Sequence, residues 1–198
     1  EWQAAWDAAE TVLAGKSDLE ELNDATANLP NYYKSVENIT ALEMPLSNSV
    51  SKASLAAPSL LNLYSEGDLR LDKYFAKADA NGYRKNQKGG SNNFLCTSRT
   101  GEIYLTAAEA AAQSDKLPEA RKRLLELMRK RYSPETYLAK EVIVNKMDKG
   151  ALIGEILNER ARELAFEGHR WFDLRRTTRP RMEKTFEGKT YVLEENDP

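Results

Sequence analysis

The segment Ile156–Arg176 constrains the fold of this chain most, because it combines a helical apolar stripe with a dense alternation of arginine and glutamate. Leucine and isoleucine recur at spacings of three and four residues between Leu152 and Leu164, which places them on one helix face. Arginine can pair with both oxygens of a carboxylate through its planar guanidinium group. We therefore predict a helical corner held together by ion pairs.

The limits of this corner follow from capping residues. Asp148 is a suitable N-cap for a helix over about 150–167, and Gly168 is expected to end it. A second, short helix is predicted from His169 to Arg176.

Trp171 and Phe172 are expected to dock onto the core and fix the angle after the glycine. We expect purely structural roles for the charged and aromatic residues of the corner and its glycine, namely Arg160, Glu163, Glu167, Gly168, Arg170, Trp171, Asp173 and Arg175.

A helical hairpin is predicted upstream of the corner. An alanine-rich helix covers 102–114, and Pro118 is placed to begin a second helix over 118–131. Ala108 is small enough for a close helix crossing, while Ala120 and Leu124 follow at the spacing of a tetratricopeptide unit. A single tight hairpin would show the same residues, so this repeat pattern alone is weak.

The chain opens in helical rhythm, without an initiator Met or a signal sequence. Apolar residues favour a helix over 2–14, and Ser17–Glu20 matches a capping box for a second helix to about Ala27. We expect a fragment of a longer protein, with any targeting signal or anchor upstream.

Residues 28–98 show weak periodicity and many Asn, Ser, Gly and Pro residues, so long irregular connections are expected there. Glu37–Met44 is a possible strand, Pro58–Tyr64 a possible helical turn, and Lys85–Asn93 a polar loop. Near the end of the chain, Glu187-Gly188 between two β-tolerant runs predicts a hairpin.

The predicted fold class is mainly α, with tetratricopeptide-like helical hairpins (an α–α superhelix), long irregular loops and a minor β-hairpin. Its predicted parts are a helical hairpin (1–27), a loop-rich insert (28–98), a tetratricopeptide-like hairpin (99–132), the signature helices (148–176) and a tail (177–198).

Composition narrows the function classes. The net charge is −2, which gives no global attraction to nucleic acid, and acids dilute the arginines from Arg160 to Arg181. Cys96 is the only cysteine, which excludes an internal disulfide and a cysteine-based zinc site. Glu163, Glu167 and His169 are residue types that can bind a metal, but nearby arginines favour an ion-pair network. We expect no metal, no cofactor, no catalytic residue and no nucleic-acid partner.

The corner resembles the C-terminal signature of the SusD/RagB family. Its matching residues are Asn158, Glu159, Arg160, Arg162, Glu163, Leu164, Phe166, Glu167, Gly168, Arg170, Trp171, Asp173, Leu174, Arg175 and Arg176. Arg99–Leu105 with Ala108–Ala110 is similar to a family helix motif, Gly67–Arg70 resembles the family's Asp-x-Arg element, and Glu37–Ile39 is a fainter trace of a family strand.

This resemblance implies a non-catalytic glycan- or nutrient-binding lipoprotein on the outward-facing surface of the cell outer membrane. It also implies a SusC-like, TonB-dependent transporter as partner in polysaccharide uptake, and a lipid anchor that is not present in this chain. The alternative is a tetratricopeptide-type protein-interaction module without sugar affinity.

Loop tyrosines are the weak candidates for glycan contact, because flat aromatic rings with polar edges suit the faces of sugars. They are Tyr32, Tyr33 and Tyr83, with Tyr64 also near a loop; ordinary half-buried packing is the competing interpretation for each. A pair of carboxylates would suit glycosidase chemistry, but the sequence places no such pair in an identifiable cleft.

Overall fold

The structure is a computed structural model that describes residues 1–43, 55–88, 94–195 and 197. The helices are α1 (Trp2–Gly15), α2 (Pro58–Leu61), α3 (Arg70–Tyr74), α4 (Thr100–Gln113), α5 (Leu117–Arg129), α6 (Pro134–Lys146), α7 (Lys149–Glu163) and α8 (His169–Arg176). The strands are β1 (Asn38–Glu43), β2 (Phe94–Arg99), β3 (Met182–Phe186) and β4 (Lys189–Leu193). The predicted mainly helical fold with a minor hairpin is confirmed.

Helix α4 lies at the centre of the main core and packs against α1, α5 and α7. Its alanines are fully buried, and small side chains let the neighbouring helix axes approach closely. Ala108, Ala120 and Leu124 all lie in this core, as the tetratricopeptide spacing predicts. The helical hairpin of α4 and α5 is therefore confirmed. No helix in the described ranges combines the length and apolar character needed to cross a bilayer.

The predicted second N-terminal helix, 18–27, is wrong. Residues 16–27 form turns and coil, and α1 packs on α4 instead of on a partner of its own. The Glu20 carboxylate does not cap a helix; it is buried and accepts hydrogen bonds from the backbone N–H groups of Asn28 and Val36. Glu20 of the predicted capping box thus binds residues of a later loop, so its side chain is not available to cap a helix.

Helix α6 has no counterpart in the sequence analysis. The Ser133 side chain caps it by accepting a hydrogen bond from the Thr136 N–H group. Of its residues only Val144 is buried, whereas Leu138, Val142 and Ile143 are exposed. Its apolar residues do not gather on one inward face, which explains why periodicity did not reveal it.

Helix α7 begins after its predicted cap, since Asp148 accepts a hydrogen bond from the Ala151 N–H group. It ends at Glu163, earlier than the predicted 167, and residues 164–168 form turns in which Phe166 has a φ of 63°. Gly168, with a φ of 86°, lies in the left-handed region directly before α8. The glycine therefore shapes the corner, while the helix stops before it.

Strands β1 and β2 pair antiparallel, which agrees with the strand expected within Glu37–Met44. The β3–β4 hairpin turns at Glu187 and Gly188, both with positive φ, as in a type I′ turn. Met44 and the Gly89–Gly90 centre of the predicted polar loop lie outside the described residues. A small second core of Ala56, Tyr64, Tyr74 and Phe75 lies under the irregular region.

Candidate functional site

Glu159 and Glu163 occupy one face of α7, because they are four residues apart on the same helix. Both carboxylates are fully buried. Buried anions need charged or hydrogen-bonding partners, and here these come from elements far away in the sequence. The partners are Arg70 of α3, Arg99 at the end of β2, and Arg131, which follows α5.

Arg70 joins α3 to α7. Its Nη1 donates to Glu159 Oε1 at 2.6 Å and to Glu163 Oε2 at 3.0 Å. Its other side is held by Asp68, which accepts from Nε at 2.9 Å and from Nη2 at 2.8 Å. Asp68 and Arg70 of the Asp-x-Arg element thus form a two-point ion pair, and Arg70 Nη1 remains to bind the two glutamates of α7.

Glu163 is shared by three arginines, since Arg99 and Arg131 reach the same carboxylate as Arg70. Arg99 Nη1 donates to Glu163 Oε1 at 2.7 Å and to Glu37 Oε2 at 2.9 Å. Arg131 Nη2 donates to the other Glu37 oxygen at 2.5 Å. Glu37 and Glu163 therefore bridge the same two arginines and link β1 and β2 to α7.

Lys88 occupies the space left where α7 ends. Its Nζ donates to the carbonyl oxygens of Glu163 at 2.5 Å and Ala165 at 3.1 Å, and it also pairs with Glu167. Burial lowers the pKa of Lys88 to about 8, against the pull of Glu167, so it remains mostly charged at neutral pH. A buried cation on the free carbonyls of the last turn acts as a C-cap.

Electrostatics keep these acids ionised. Burial alone would raise the pKa of Glu159, but Arg70 and Arg162 outweigh it and lower that pKa to about 2. For Glu163, burial is likewise outweighed, chiefly by Arg131 and Arg99, and its pKa lies well below the ordinary range. Buried carboxylates with lowered pKa values are poorly matched to general acid chemistry near neutral pH.

We call this assembly the buried ion cluster. It consists of Glu37, Asp68, Arg70, Lys88, Arg99, Arg131, Glu159, Glu163 and Glu167. It ties the irregular region to the helices, and its charged side chains pair with one another. Within the described ranges no group of three or more possible ligands is arranged for a metal ion, and His169 lies beside Glu102 at 3.7 Å.

A second group of ion pairs joins α4, α7 and α8. Arg160 Nε donates to Asp173 Oδ2 at 3.0 Å, and Arg176 donates to Asp173 at 2.7 Å and to Glu109 at 2.8 Å. Asp173 and Glu109 are buried. This arrangement agrees with the predicted corner held by ion pairs.

Two of the expected packing residues are not packed. Trp171 is 45% exposed and Phe172 69% exposed, so the prediction that they dock onto the core is wrong. Asp173 is the residue that α8 turns inward, and Phe172 lies about 100° from it around the helix axis. Arg170 is also exposed, and Arg175 lies over the Trp171 ring at 5.8 Å.

The tyrosine candidates lie in different environments. Tyr32 and Tyr33 are half-buried and meet edge to face, with ring centroids 4.7 Å apart. Tyr83 is half exposed on the loop before Lys88. Tyr64 is buried, and its hydroxyl donates to the Arg162 carbonyl at 2.7 Å, so it is not available at the surface. Glycan contact by Tyr32, Tyr33 and Tyr83 stays a prediction.

Sequence reasoning did not identify Arg131 and Lys88 as members of the buried ion cluster. Arg131 lies two residues after the end of the amphipathic helix α5, where a basic residue is ordinarily a solvated C-terminal charge. Lys88 lies in a polar stretch with no periodic signal. Only pairing across the fold distinguishes them from surface cations.

Comparison with known proteins gives the same family as the sequence motifs. The model of the SusD family matches residues 27–198. No curated protein matches the chain. Among solved structures, the fold is similar to a SusD-like carbohydrate binding protein from Bacteroides vulgatus, at 18% identity and a TM-score of 0.66, over 97% of this chain and 47% of that one.

A SusD superfamily protein from Bacteroides thetaiotaomicron is 20% identical with a TM-score of 0.71, over 99% of this chain and 52% of that one. One from Parabacteroides distasonis is 14% identical with a TM-score of 0.60, over 96% and 49%. The chain thus spans about half the length of these relatives. The match of the family model over residues 27–198 shows that this chain belongs to the SusD family.

Proposed function

We propose that this protein is a non-catalytic glycan- or nutrient-binding protein that works with a SusC-like, TonB-dependent transporter in polysaccharide uptake. The observation that carries the proposal is the family match over residues 27–198. It is supported by similarity of fold to a protein described as a SusD-like carbohydrate binding protein. The same family membership supports a place on the outward face of the outer membrane, through a lipid anchor.

The chemistry of the signature acids supports a binding role without catalysis. Glycoside hydrolysis needs one carboxyl group that is protonated and a second that faces the substrate. The buried carboxylates of the corner are ionised by their arginines and shielded from solvent. They suit a rigid support for loops that hold a ligand.

We assign ligand contact to the loop-rich insert 28–98 and support to the helical parts 99–132 and 148–176. Asn31 Nδ2 donates to the Lys88 carbonyl at 2.8 Å, which links the turn that carries Tyr32 and Tyr33 to the end of the loop that carries Tyr83. The buried ion cluster anchors both segments through Glu37 and Lys88.

Isothermal titration against a panel of neutral oligosaccharides tests this function. The wild-type protein should bind at least one member, and the Tyr32→Ala/Tyr33→Ala variant should bind it at least tenfold more weakly. Phe172→Ala, which removes a more exposed ring elsewhere on the surface, serves as control. Unchanged affinity of the tyrosine variant would remove the site assignment, and release of shorter sugars during incubation would contradict the non-catalytic role.

A protein-interaction module is the second candidate, because α6 exposes an apolar ridge of Leu138, Val142 and Ile143. The ridge borders a groove of about 510 Å³ that Arg129, Tyr137 and Leu138 help to line. An amphipathic helix would suit such a surface. Under this candidate, Val142→Asp abolishes binding of the full chain to the transporter, while no sugar on the panel binds.

A further inference from the structure

A cleft of about 420 Å³ lies between α8 and the β3–β4 hairpin. Trp171 of α8 lines it, together with Tyr191 and Val192 of β4. Glu183 and Lys184 of β3 add charged groups to the lining. None of these residues belongs to the buried ion cluster or to the tyrosine turn, so the cleft is a separate feature of the surface.

The aromatic rings of the cleft remain accessible. Trp171 is 45% exposed and Tyr191 57% exposed, although each could bury well over 100 Å² of ring surface in a core. Flat rings with a polar edge can stack against the C–H faces of pyranose sugars and also donate a hydrogen bond. Two such rings in one cleft suit an oligosaccharide better than either ring alone.

The charged residues of the cleft lie on different faces of the hairpin. Glu183 is opposite Val192, and it shares Arg181 with Glu194 through contacts of 2.6 and 3.1 Å, whereas Lys184 is opposite Tyr191 on the other face. Lys184 has no carboxylate partner within the described part of the chain, and it lines the same cleft. Arg175 lies over the Trp171 ring at 5.8 Å and donates to the Asp197 carbonyl at 2.6 Å, so it is a cation beside the cleft. The charged side chain of the cleft on the Tyr191 face of the hairpin, with which a ligand can pair, is therefore Lys184.

We propose that this cleft binds an anionic oligosaccharide, with sugar rings stacked on Trp171 and Tyr191 and an acidic substituent of the sugar paired with Lys184. The shared ligand chemistry is a carboxylate or sulfate group on a pyranose ring. This inference rests on the proposed function for its ligand class, and it adds a second site with its own charge preference. A lysine ammonium group accepts either anion, because it acts as a point charge.

The test titrates the full chain with trigalacturonate, a chondroitin sulfate tetrasaccharide and uncharged maltotetraose. Wild type is expected to bind at least one anionic sugar tenfold or more tightly than maltotetraose, with affinity falling as NaCl is raised. Trp171→Ala and Lys184→Gln should each weaken this binding at least tenfold. Phe172→Ala, at the adjacent and more exposed ring, should bind like wild type. Because chondroitin sulfate also carries glucuronate carboxylates, the unsulfated chondroitin tetrasaccharide is titrated beside it, and the difference between these two sugars isolates a preference for sulfate.

Three results would overturn the proposal that the cleft binds an anionic oligosaccharide. They are equal affinity for charged and neutral sugars, unchanged anionic binding in Trp171→Ala, and equal losses in Trp171→Ala and Phe172→Ala. Neutral-sugar binding that needs Tyr32 and Tyr33 would then still support the proposed function. If neither neutral nor anionic sugars bind, both the proposed function and the proposed cleft site are rejected.

Discussion

Arg131 and Glu163 form a two-point ion pair with both side chains fully buried, Nε to Oε2 at 3.0 Å and Nη2 to Oε1 at 3.0 Å. The pair connects the end of α5 to the end of α7. Burying two ions costs more free energy than a surface pair, and only good geometry with further partners offsets it. Removing one partner should therefore cost more free energy of unfolding than the intact pair contributes, because the other ion is left buried and unpaired.

Glu163→Gln is expected to lower the free energy of unfolding by about 3–5 kcal/mol, because Arg70, Arg99 and Arg131 lose a shared buried anion. Glutamine has nearly the same shape, so a cavity does not contribute. Urea unfolding followed by circular dichroism measures the change. Asp115→Asn is the control, because Asp115 pairs with Lys149 on the exposed surface and should leave the midpoint unchanged. Equal midpoints for the two variants would contradict the prediction.

Stability should fall in acid. The pKa of Glu159 is lowered from 4.5 to about 2, so the folded state holds fewer protons than the unfolded state between these values. Its contribution is fully present above pH 4.5 and is lost as pH falls toward 2. At 1.36 kcal/mol per pKa unit this amounts to roughly 3 kcal/mol. Urea midpoints from pH 7 to pH 2 measure it, and Glu159→Gln should show a flatter profile. A wild-type urea midpoint that does not change below pH 4.5 would contradict this prediction.

Trp171→Ala should change stability by less than about 1 kcal/mol, because the ring is 45% exposed and lies outside the core. Leu124→Ala is the matched core substitution and should cost about 2–5 kcal/mol, since Leu124 of α5 is fully buried in the main core. Thermal unfolding compares the two variants directly. A Trp171→Ala midpoint as low as that of Leu124→Ala would mean that the tryptophan supports the fold.

Gly101→Ala should destabilise the protein by about 1–3 kcal/mol. An added Cβ would lie 2.5 Å from Arg99 Nη1 and 2.8 Å from Glu37 Oε2, so the methyl group would push into the buried ion cluster. Gly154→Ala is the control: Gly154 is also helical, but its Cβ would meet open space. That change should stabilise by roughly 0.5–1 kcal/mol. Urea denaturation that gave both variants the same sign would rule out the steric explanation.

Local signals were sufficient for several elements. The alanines around Ala108 predicted the α4–α5 hairpin, Asp148 marked the start of α7, and Glu187-Gly188 marked the terminal turn. These features depend on neighbours a few residues apart. The 18–27 helix failed because the Glu20 carboxylate binds backbone groups of a later loop, which no local pattern reveals.

The amino-acid sequence determined the helical class, the family signature and the fact that the arginines of the corner must meet carboxylates. Tertiary structure alone decided which charges meet, that Arg131 and Lys88 join them, and that Trp171 faces solvent. The physical reason is that ion pairing depends on distance in space. Helical periodicity places Glu159 and Glu163 on one face, but only the folded chain brings Arg70 within 3.0 Å of both.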